Sequence, residues 1–377
     1  MVGVGAIAPS HIEAYLSFPG RCRIVALADI VPEKCTKAVE RYGLDAATFD
    51  SHRRMLEGPP LDLVSICTPP GTHAEIAIDV LDSGSSALVE KPMAASLEEC
   101  DAMLAAEQGS GKLLSVIAQN RFRTEMMRLE RLLASGLAGP VHHAQVDSFW
   151  WRGPNYYDLW WRGTWEGEGG GPTLNHAVHH VDLLLWMMGA PREVRAIMAN
   201  VAHPGSEVED LSVALMRFGS GAIGQLTSSV VHHGQRQQMV FQAERAMVSV
   251  PFEVYASRAL ANGFPERDPE VEAELAAAYE SFPPLNHQGH AGQVDNVLGA
   301  LEGSGALLVD GQQGRRTIEL ITAIYKAAIS GEPVSLPLAP TDAFYKKEGL
   351  LAGAPRYHQK LRSVADFGDV PISTTGG

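Results

Sequence analysis

Gly3-Val4-Gly5-Ala6-Ile7-Ala8 is the stretch on which the reading of the fold turns. It fits the pattern G-x-G-x-x-A. The first glycine allows a tight turn, the second lets a pyrophosphate approach the backbone, and the third small residue lets a helix pack closely on a strand. The segment from His11 through Tyr15 then reads as a helix whose first N–H groups face the phosphates. Alone, such a fingerprint is weak. The apolar run Arg23–Ala28 supports it, because it reads as a strand and ends at Asp29, close to where a ribose-binding acid is expected. A carboxylate there accepts hydrogen bonds from a ribose 2′-hydroxyl and repels a 2′-phosphate. Ile30 and Val31 bring no positive charge, so the pattern favours NAD over NADP. The competing structural reading is an ordinary strand–helix turn with a solvated Asp29. Gly3, Gly5, Ala6, Ile7 and Asp29 are therefore candidate cofactor-binding residues. Only Met1 and Val2 precede Gly3, whereas a first strand normally has about five or six residues. The expectation is a first strand truncated by a start assigned too late or by trimming, and a nucleotide domain destabilised as a result.

Working outward, strand-like and helix-like runs alternate. Glu33–Tyr42 reads as a helix stopped by Gly43, and Leu61–Cys67 as a buried strand closed by Thr68-Pro69-Pro70-Gly71. His73–Leu81 is helical, Ala87–Val89 a strand ended by Glu90-Lys91-Pro92, Leu97–Glu107 a helix and Leu113–Ile117 a strand. This rhythm predicts a doubly wound parallel sheet of Rossmann type. After Gln119 the character changes. A helix near Glu125–Ser135 leads into strand-like runs at Val141–Trp150, Val194–Val201, Leu211–Phe218, Ala222–Val231 and Gln238–Val250. Few helices separate them, so a second α/β domain with a large, mostly antiparallel open sheet is expected. Helices are expected at Thr173–Met188 and Gly314–Ser330, and Asn262 to Gly292, with an acidic helical patch at Val271–Tyr279, reads as an insertion or lid. The tail Ile372–Gly377 reads as frayed. The domains expected are 1–121, binding the dinucleotide, and 122–377, serving substrate and assembly.

Composition narrows the partners. The 377 residues are 45% hydrophobic and 20% charged, which suits a globular protein of two or three domains. The formal charge of −14 argues against nucleic acid or an anionic membrane as the main partner. Cys22, Cys35, Cys67 and Cys100 are widely spread and form no Cys-x-x-Cys pair, so neither a disulfide framework nor a zinc site is suggested and no metal is expected. No apolar run is long enough to span a bilayer, and the chain reads as cytoplasmic.

Two segments carry candidate chemistry. Lys91 follows an apolar strand and precedes a proline, which holds it out of the helical region at the carboxyl end of its strand. Ligands bind at that edge of open α/β sheets, and a lysine there can donate to a substrate hydroxyl and stabilise a developing alkoxide. A surface lysine in a turn is the plain alternative. In Gly169–Asp182, Pro172 and Gly189 bracket a helix, and Asn175, His179 and Asp182 stand at i, i+4 and i+7 on one face. Histidine is the side chain best suited to take a carbinol proton near neutral pH. Competing readings are satisfied core histidines, a metal pair at His176 and His180 without an evident third ligand, and an Asp182 that only fixes an orientation. Trp160-Trp161-Arg162 precedes the glycine run. Arg162 suits a phosphate or sugar hydroxyl and Trp161 a ring, unless the group is simply an aromatic core cluster with Phe149, Trp150 and Trp151.

Together these motifs, with Thr68-Pro69-Pro70 and His73, Glu90-Lys91-Pro92, Gln119-Asn120-Arg121-Phe122, Trp161-Arg162 and the Gly169–Asp182 segment, resemble the glucose–fructose oxidoreductase, inositol dehydrogenase and MocA (Gfo/Idh/MocA) family over nearly the whole chain. The resemblance implies NAD or NADP as cofactor, sugars, cyclitols or their derivatives as substrates, and a homodimer or homotetramer built through the C-terminal sheet. It implies that Lys91 is the catalytic lysine and His179 the catalytic histidine. Thr68, Pro69, Pro70, His73, Glu90, Lys91 and Gln119 would line the dinucleotide, with Trp161 and Arg162 near it. One departure stands out: many members have Asp four residues before the histidine, and this chain has Asn175, which cannot take a proton but can orient substrate or ring. The expectation is an NAD-dependent dehydrogenase acting on a secondary alcohol of a sugar, glycoside or cyclitol, with Asn175, Arg121, Arg123, Tyr156 and His180 as candidate substrate contacts. An NAD-dependent glycosidase working by transient oxidation and elimination, and an NAD-binding regulatory protein without turnover, are the alternatives.

Overall fold

The computed structural model describes residues 1–365 and residue 367. The chain forms two compact units, one of Met1–Phe122 with Asn286–Ile318, the other of Arg123–Leu285 with the residues from Glu319 onward. The first unit thus takes back a segment from beyond the boundary at 121 drawn from sequence. The tail Ile372–Gly377 lies outside the described residues.

In the first unit, β1 (Ala26–Ala28), β2 (Ala47–Phe49), β3 (Leu63–Ile66), β4 (Ser86–Val89) and β5 (Leu114–Val116) are all parallel. β1 pairs with β2, and β3-β4-β5 form a second ladder. Val2 bridges Ala28 of β1 and Ile66 of β3, so the spatial order is β2, β1, Val2, β3, β4, β5, the doubly wound Rossmann arrangement. Helices fill the connections where the sequence carries start and stop signals. Pro32–Tyr42 ends on Gly43 at φ 61°, and Leu97–Ser110 starts on the Ser96 hydroxyl, which accepts from Glu99 N–H, and ends on Gly111 at φ 66°.

The returning segment contributes a helix, Gly289–Leu301, that the sequence reading missed. Its glycines hide it, but Val294, Val297 and Leu298 join Ala8, Ile12 and Tyr15 in one core. Gln293 on this helix, fully buried, stitches it to the sheet edge: its Oε1 accepts from Ala118 N–H at 2.9 Å and its Nε2 donates to Val116 O at 2.8 Å. A cleft of about 1060 Å³ opens beside Met1, Ile24, Leu63, Ser86 and Leu113, at the amino-terminal ends of the strands. Open sheets bind ligands at the opposite ends, so this cleft is not where the cofactor is sought.

The second unit is built on nine strands: β6 (Val141–Phe149), β7 (Pro191–Ala199), β8 (Leu211–Phe218), β9 (Ile223–Ser229), β10 (Gln237–Ala243), β11 (Ala246–Val250), β12 (Val254–Ala259), β13 (Pro265–Arg267) and β14 (Val334–Ser335). Their order is β13-β12-β11-β10-β6-β9-β8-β7-β14. Every pair is antiparallel except β6–β9, as expected for a mostly antiparallel open sheet. The expected single strand Gln238–Val250 is a hairpin that turns at Glu244-Arg245. Of residues 262–292, expected as an insertion or lid, the strand Pro265–Arg267 and the helix Pro269–Ser281 belong to the second unit, and residues 289–292 begin the helix of the returning segment. The helix Pro269–Ser281, capped by Asp268, buries Leu275 and Tyr279, stacks Tyr279 on Phe252 at 3.7 Å, and accepts Arg128 through Glu280 at 2.6 Å. No described helix is long and apolar enough to cross a membrane, and all four cysteines are free.

The helix expected over Thr173–Met188 is broken. Pro172–Asn175 and Val178–Met188 are separate, and Ala177 N–H reaches back five residues to Pro172 O at 2.8 Å. A widened turn of this kind shifts the helical phase, so Asn175 and His179 do not sit on one regular i, i+4 face.

Candidate functional site

In the first unit the candidate residues follow directly on the last residues of the strands. Asp29 follows β1, Thr68 comes just after β3, Glu90-Lys91 follow β4 and Gln119 comes just after β5, while Gly3 follows the bridging Val2. The doubly wound order makes this one edge of the sheet.

Gly3 has φ +87°, and a Cβ there would come within 2.8 Å of the Cys67 backbone, so the turn needs glycine on both counts. A Cβ on Gly5 would meet nothing within 4 Å, and Gly5 and Ala6 are exposed. Half-buried Ile7 precedes the helix Ala8–Leu16, where Ala8 N–H donates to Gly5 O at 3.2 Å, Pro9 has no N–H and Ser10 N–H donates to Ile7 O at 3.0 Å, so an anion would be met by the glycine turn and the positive end of the helix dipole. Asp29 braces this turn: Oδ2 accepts from Val4 N–H at 2.7 Å and Oδ1 from Val31 N–H at 2.9 Å. Each oxygen keeps a further lone pair for a ribose hydroxyl. Gln119 Oε1 is buried and has no hydrogen-bond partner in the protein, a vacancy that an amide donor would fill. These features fit a dinucleotide.

His73 is fully buried, with Nδ1 2.9 Å from Pro92 O and Nε2 2.8 Å from Thr68 O. It ties the Thr68-Pro69-Pro70 loop to the Lys91-Pro92 turn from below and offers no surface to a ligand. Burial lowers its pKa, and a neutral imidazole can donate to one of the two carbonyls only. Glu90 is also buried. Burial pushes its carboxyl up, but hydrogen bonds from His11 and His290 outweigh this and hold it well below the usual carboxylate range. Arg121 is buried too, donating to Leu308 O and Gln313 Oε1, which binds the returning segment and keeps it away from solvent. His11 and His290 were missed in the sequence reading. A histidine on the same helix face as Ala8, Ile12 and Tyr15 was the available signal for His11.

In the second unit, Tyr156, Trp161 and Arg162 come together. The Arg162 guanidinium lies 4.0 Å from the Trp161 ring centre and 4.2 Å from that of Tyr156, and Nη1 donates to buried Glu168 at 2.6 Å. Tyr156 Oη is 3.4 Å from His176 Nε2, and burial raises the Tyr156 pKa to about 12. The glycine run is held from beneath by Glu209, fully buried, which accepts from Gly171 N–H at 2.9 Å, Thr173 N–H at 3.2 Å and Tyr325 O–H at 2.9 Å. Burial outweighs these donors and raises the Glu209 carboxyl to about 7. A Cβ on Gly171 would come within 1.9 Å of Glu209 O, so the close approach requires glycine.

Asn175 Nδ2 donates to Gly170 O at 2.8 Å and Gly171 O at 3.3 Å. Both partners are acceptors, which explains an amide rather than a carboxylate at this position. His179 is half-buried at the start of Val178–Met188, whereas His180 and Asp182 are buried. Burial first, and Arg123 second, push the His180 pKa down to about 4, so it is neutral at physiological pH. Arg123 itself is exposed, 3.9 Å from Glu125.

Residues 1–118 match the model of the oxidoreductase family with an NAD-binding Rossmann fold, and residues 126–249 match the GFO/IDH/MocA C-terminal domain. Among solved structures, the WlbA dehydrogenase from Bordetella pertussis in complex with NADH and UDP-GlcNAcA is 31% identical. The match covers 90% of this chain and 97% of that one, with a TM-score of 0.77. The D-glucoside 3-dehydrogenase of Escherichia coli strain K12 is 22% identical over 356 residues, 89% of this chain and 96% of its own length. The levoglucosan dehydrogenase of Pseudarthrobacter phenanthrenivorans is 25% identical over 286 residues, 67% of this chain and 72% of its own length. With its strand-end residues, its glycine-dependent turn and both halves matched, the chain belongs to the GFO/IDH/MocA family of NAD-binding oxidoreductases.

Proposed function

We propose that this protein oxidises a secondary ring hydroxyl of a pyranose sugar or glycoside to a ketone, with NAD as the hydride acceptor. The observation that carries this reading is the row of candidate residues at the carboxyl ends of the parallel strands, with Lys91 in the same row as the glycine turn and Asp29. Among the relatives' names, glucoside, levoglucosan and a UDP-linked sugar support a pyranose, while inositol dehydrogenases keep a cyclitol, whose ring carries secondary hydroxyls in the same way, as the alternative substrate.

Gly3, Gly5, Ala6, Ile7 and the helix after them would receive the pyrophosphate, Asp29 the ribose, and Gln119 an amide donor. Thr68, Pro69 and Pro70 would wall the dinucleotide, with His73 holding that wall in place. When bound, NAD supplies an acceptor for hydride at nicotinamide C4. Lys91 donates a hydrogen bond to the substrate oxygen and stabilises negative charge as it develops there. His179 takes the hydroxyl proton, so the O–H and C–H bonds break as the C=O bond forms. Asn175 shapes the glycine run through its amide and moves no proton. Tyr156, Trp161, Arg162, Arg123 and neutral His180 are proposed to shape the sugar or cofactor surroundings in their unit. The outer sheet face, with exposed Ile197, Val213, Leu215 and Ile223, supports a homodimer or homotetramer, and the free cysteines fit a reducing cytoplasm.

Incubation with NAD and a panel of glucosides, levoglucosan, UDP-sugars and inositols tests the reading. Growth of the NADH absorbance band with at least one pyranose is expected. Consumption of a glycoside with release of free sugar and no net NADH would point instead to transient oxidation and elimination. No hydride exchange with any of them would overturn the reading.

A further inference from the structure

The helix that opens with the glycine turn carries one residue a phosphate site does not need. His11, one turn in, is fully buried, and its Nε2 lies 2.9 Å from Glu90 Oε1. A second imidazole comes from the returning segment: His290 Nε2 lies 3.4 Å from the same oxygen. The two rings stand 5.2 Å apart, centre to centre. The other carboxylate oxygen of Glu90, Oε2, accepts the backbone N–H of Lys91 at 3.0 Å. The two oxygens therefore divide the work, one facing the imidazoles and the other holding the main chain of the lysine.

An ionised carboxylate is expensive to bury unless donors surround it. Here burial favours neutral His11, whose Nε2–H then donates to Glu90 while Nδ1, which has no hydrogen-bond partner, stays unprotonated. One residue further along, His73 grips Pro92 O at 2.9 Å. The turn that carries Lys91 is thus pinned on both sides, and one of the pins is rooted in the helix that follows the glycine turn. The three ligand-type atoms of His11, Glu90 and His290 also lie within 4.8 Å of one another, but the 2.9 Å contact already has the length of a charge-assisted hydrogen bond.

We propose that His11, Glu90 and His290 are positioning residues of the reaction: through the Lys91 N–H they fix where the Lys91 ammonium is presented, and they link that placement to the cofactor-facing helix. The inference rests on reading Lys91 as the donor to the substrate oxygen.

The test compares Glu90→Ala, Glu90→Gln, His11→Leu and His290→Gln in the whole protein, each in the native background and combined with Lys91→Ala. Hydride transfer is followed in single turnovers with the sugar that gave most NADH, and NAD affinity by fluorescence. Misplacing a reacting group by about 1 Å costs on the order of 10²-fold. Glu90→Ala and His11→Leu are expected to slow hydride transfer by about that factor with NAD affinity nearly unchanged. Glu90→Gln keeps an oxygen for the Lys91 N–H and recovers much of the loss. His290→Gln, at the less buried and longer contact, loses less and guards against failure to fold. In the Lys91→Ala background the same changes should cost nothing further, which a merely structural role would not predict.

Equal losses in both backgrounds would overturn the proposal, as would native rates in folded variants or a loss explained by NAD affinity. Lys91→Ala itself separates the two readings. If it keeps turnover near native, the role of Lys91 fails. If it abolishes turnover while the other variants stay native, only the positioning fails. Without any substrate, competitive acetylation of Lys91 followed by mass spectrometry should change in Glu90→Ala and His11→Leu. An unchanged Lys91 reactivity would contradict the proposal.

Discussion

Two buried glutamates, one in each unit, do similar work by different physics. Glu90 holds the N–H of Lys91, and Glu209 holds the N–H groups of Gly171 and Thr173, which lead to Asn175. Both are almost without exposure, yet their carboxyls move in opposite directions. Glu90 faces two imidazoles, whose hydrogen bonds outweigh its burial. Glu209 faces backbone amides, the Thr173 hydroxyl and a phenol, and these do not offset its burial. The lesson is that a buried acid is a fixed anchor when its hydrogen-bond donors outweigh the cost of burial, and a pH-sensitive one when they do not.

The comparison breaks first on the residues these anchors serve. Lys91→Ala should lower turnover by about 10³-fold while NAD binding survives, since one lost donor to a developing oxyanion costs on the order of 10²–10³. His179→Ala in the other unit should cost about 10²–10⁴, the range for a lost general base, and should shift the pH profile of turnover. Steady-state kinetics beside NAD titration checks both. Turnover near native in either variant removes that residue from the chemistry.

A smaller effect is expected at Asn175→Asp. The new side chain would turn a carboxylate toward the Gly170 and Gly171 carbonyls; Gly171 O keeps the N–H groups of Leu174 and Asn175, but Gly170 O loses the 2.8 Å amide donor. Leaving buried acceptors unmatched costs about 1–3 kcal/mol, so the melting temperature should fall and turnover should not rise. A more active variant of native stability would show that the position wants an acid.

The smallest effect sharpens the contrast between the anchors. Because the Glu209 carboxyl is raised to about 7, the folded protein keeps that proton at pH values where the unfolded chain has lost it. Stability from this group is therefore full at acid pH and falls as pH rises from the ordinary carboxylate range through about 7. In melting curves from pH 4 to 8, the stability of native protein relative to Glu209→Gln should decline with rising pH. A constant difference would mean that the folded and unfolded carboxyls titrate alike, and a difference that grows with rising pH would mean that Glu209 is held ionised, as Glu90 is; either would contradict the contrast.

The first unit was the more legible from sequence, and the reason is topological. In a parallel sheet the ligand edge is fixed by strand ends, so reading Ala28–Asp29, Cys67–Thr68 and Val89–Glu90 as strand ends already located Asp29, Thr68 and Lys91. Residues that arrive from far along the chain were not legible: His290 and Gln293 lie on a glycine-rich helix whose few apolar residues gave little periodicity. In the second unit β6 to β9 were readable from their apolar runs, the hairpin at Glu244-Arg245 read as one strand, and the short strands β12, β13 and β14 carried too little apolar pattern to be read at all. The helix carrying His179 was misread as continuous because a widened turn at His176-Ala177 leaves no mark in residue type. Glu209 stood in a polar loop, and only the structure places it beneath the glycine run.

The central proposal is that hydride transfer depends on Lys91 and His179 together. A double-mutant cycle on hydride transfer, with Lys91→Ala, His179→Ala and the pair, tests it most directly. Groups that act as a unit are far from additive, so the pair should be only about as slow as the worse single variant. Losses that multiply in full would mean that the two residues act independently, and the account would be contradicted.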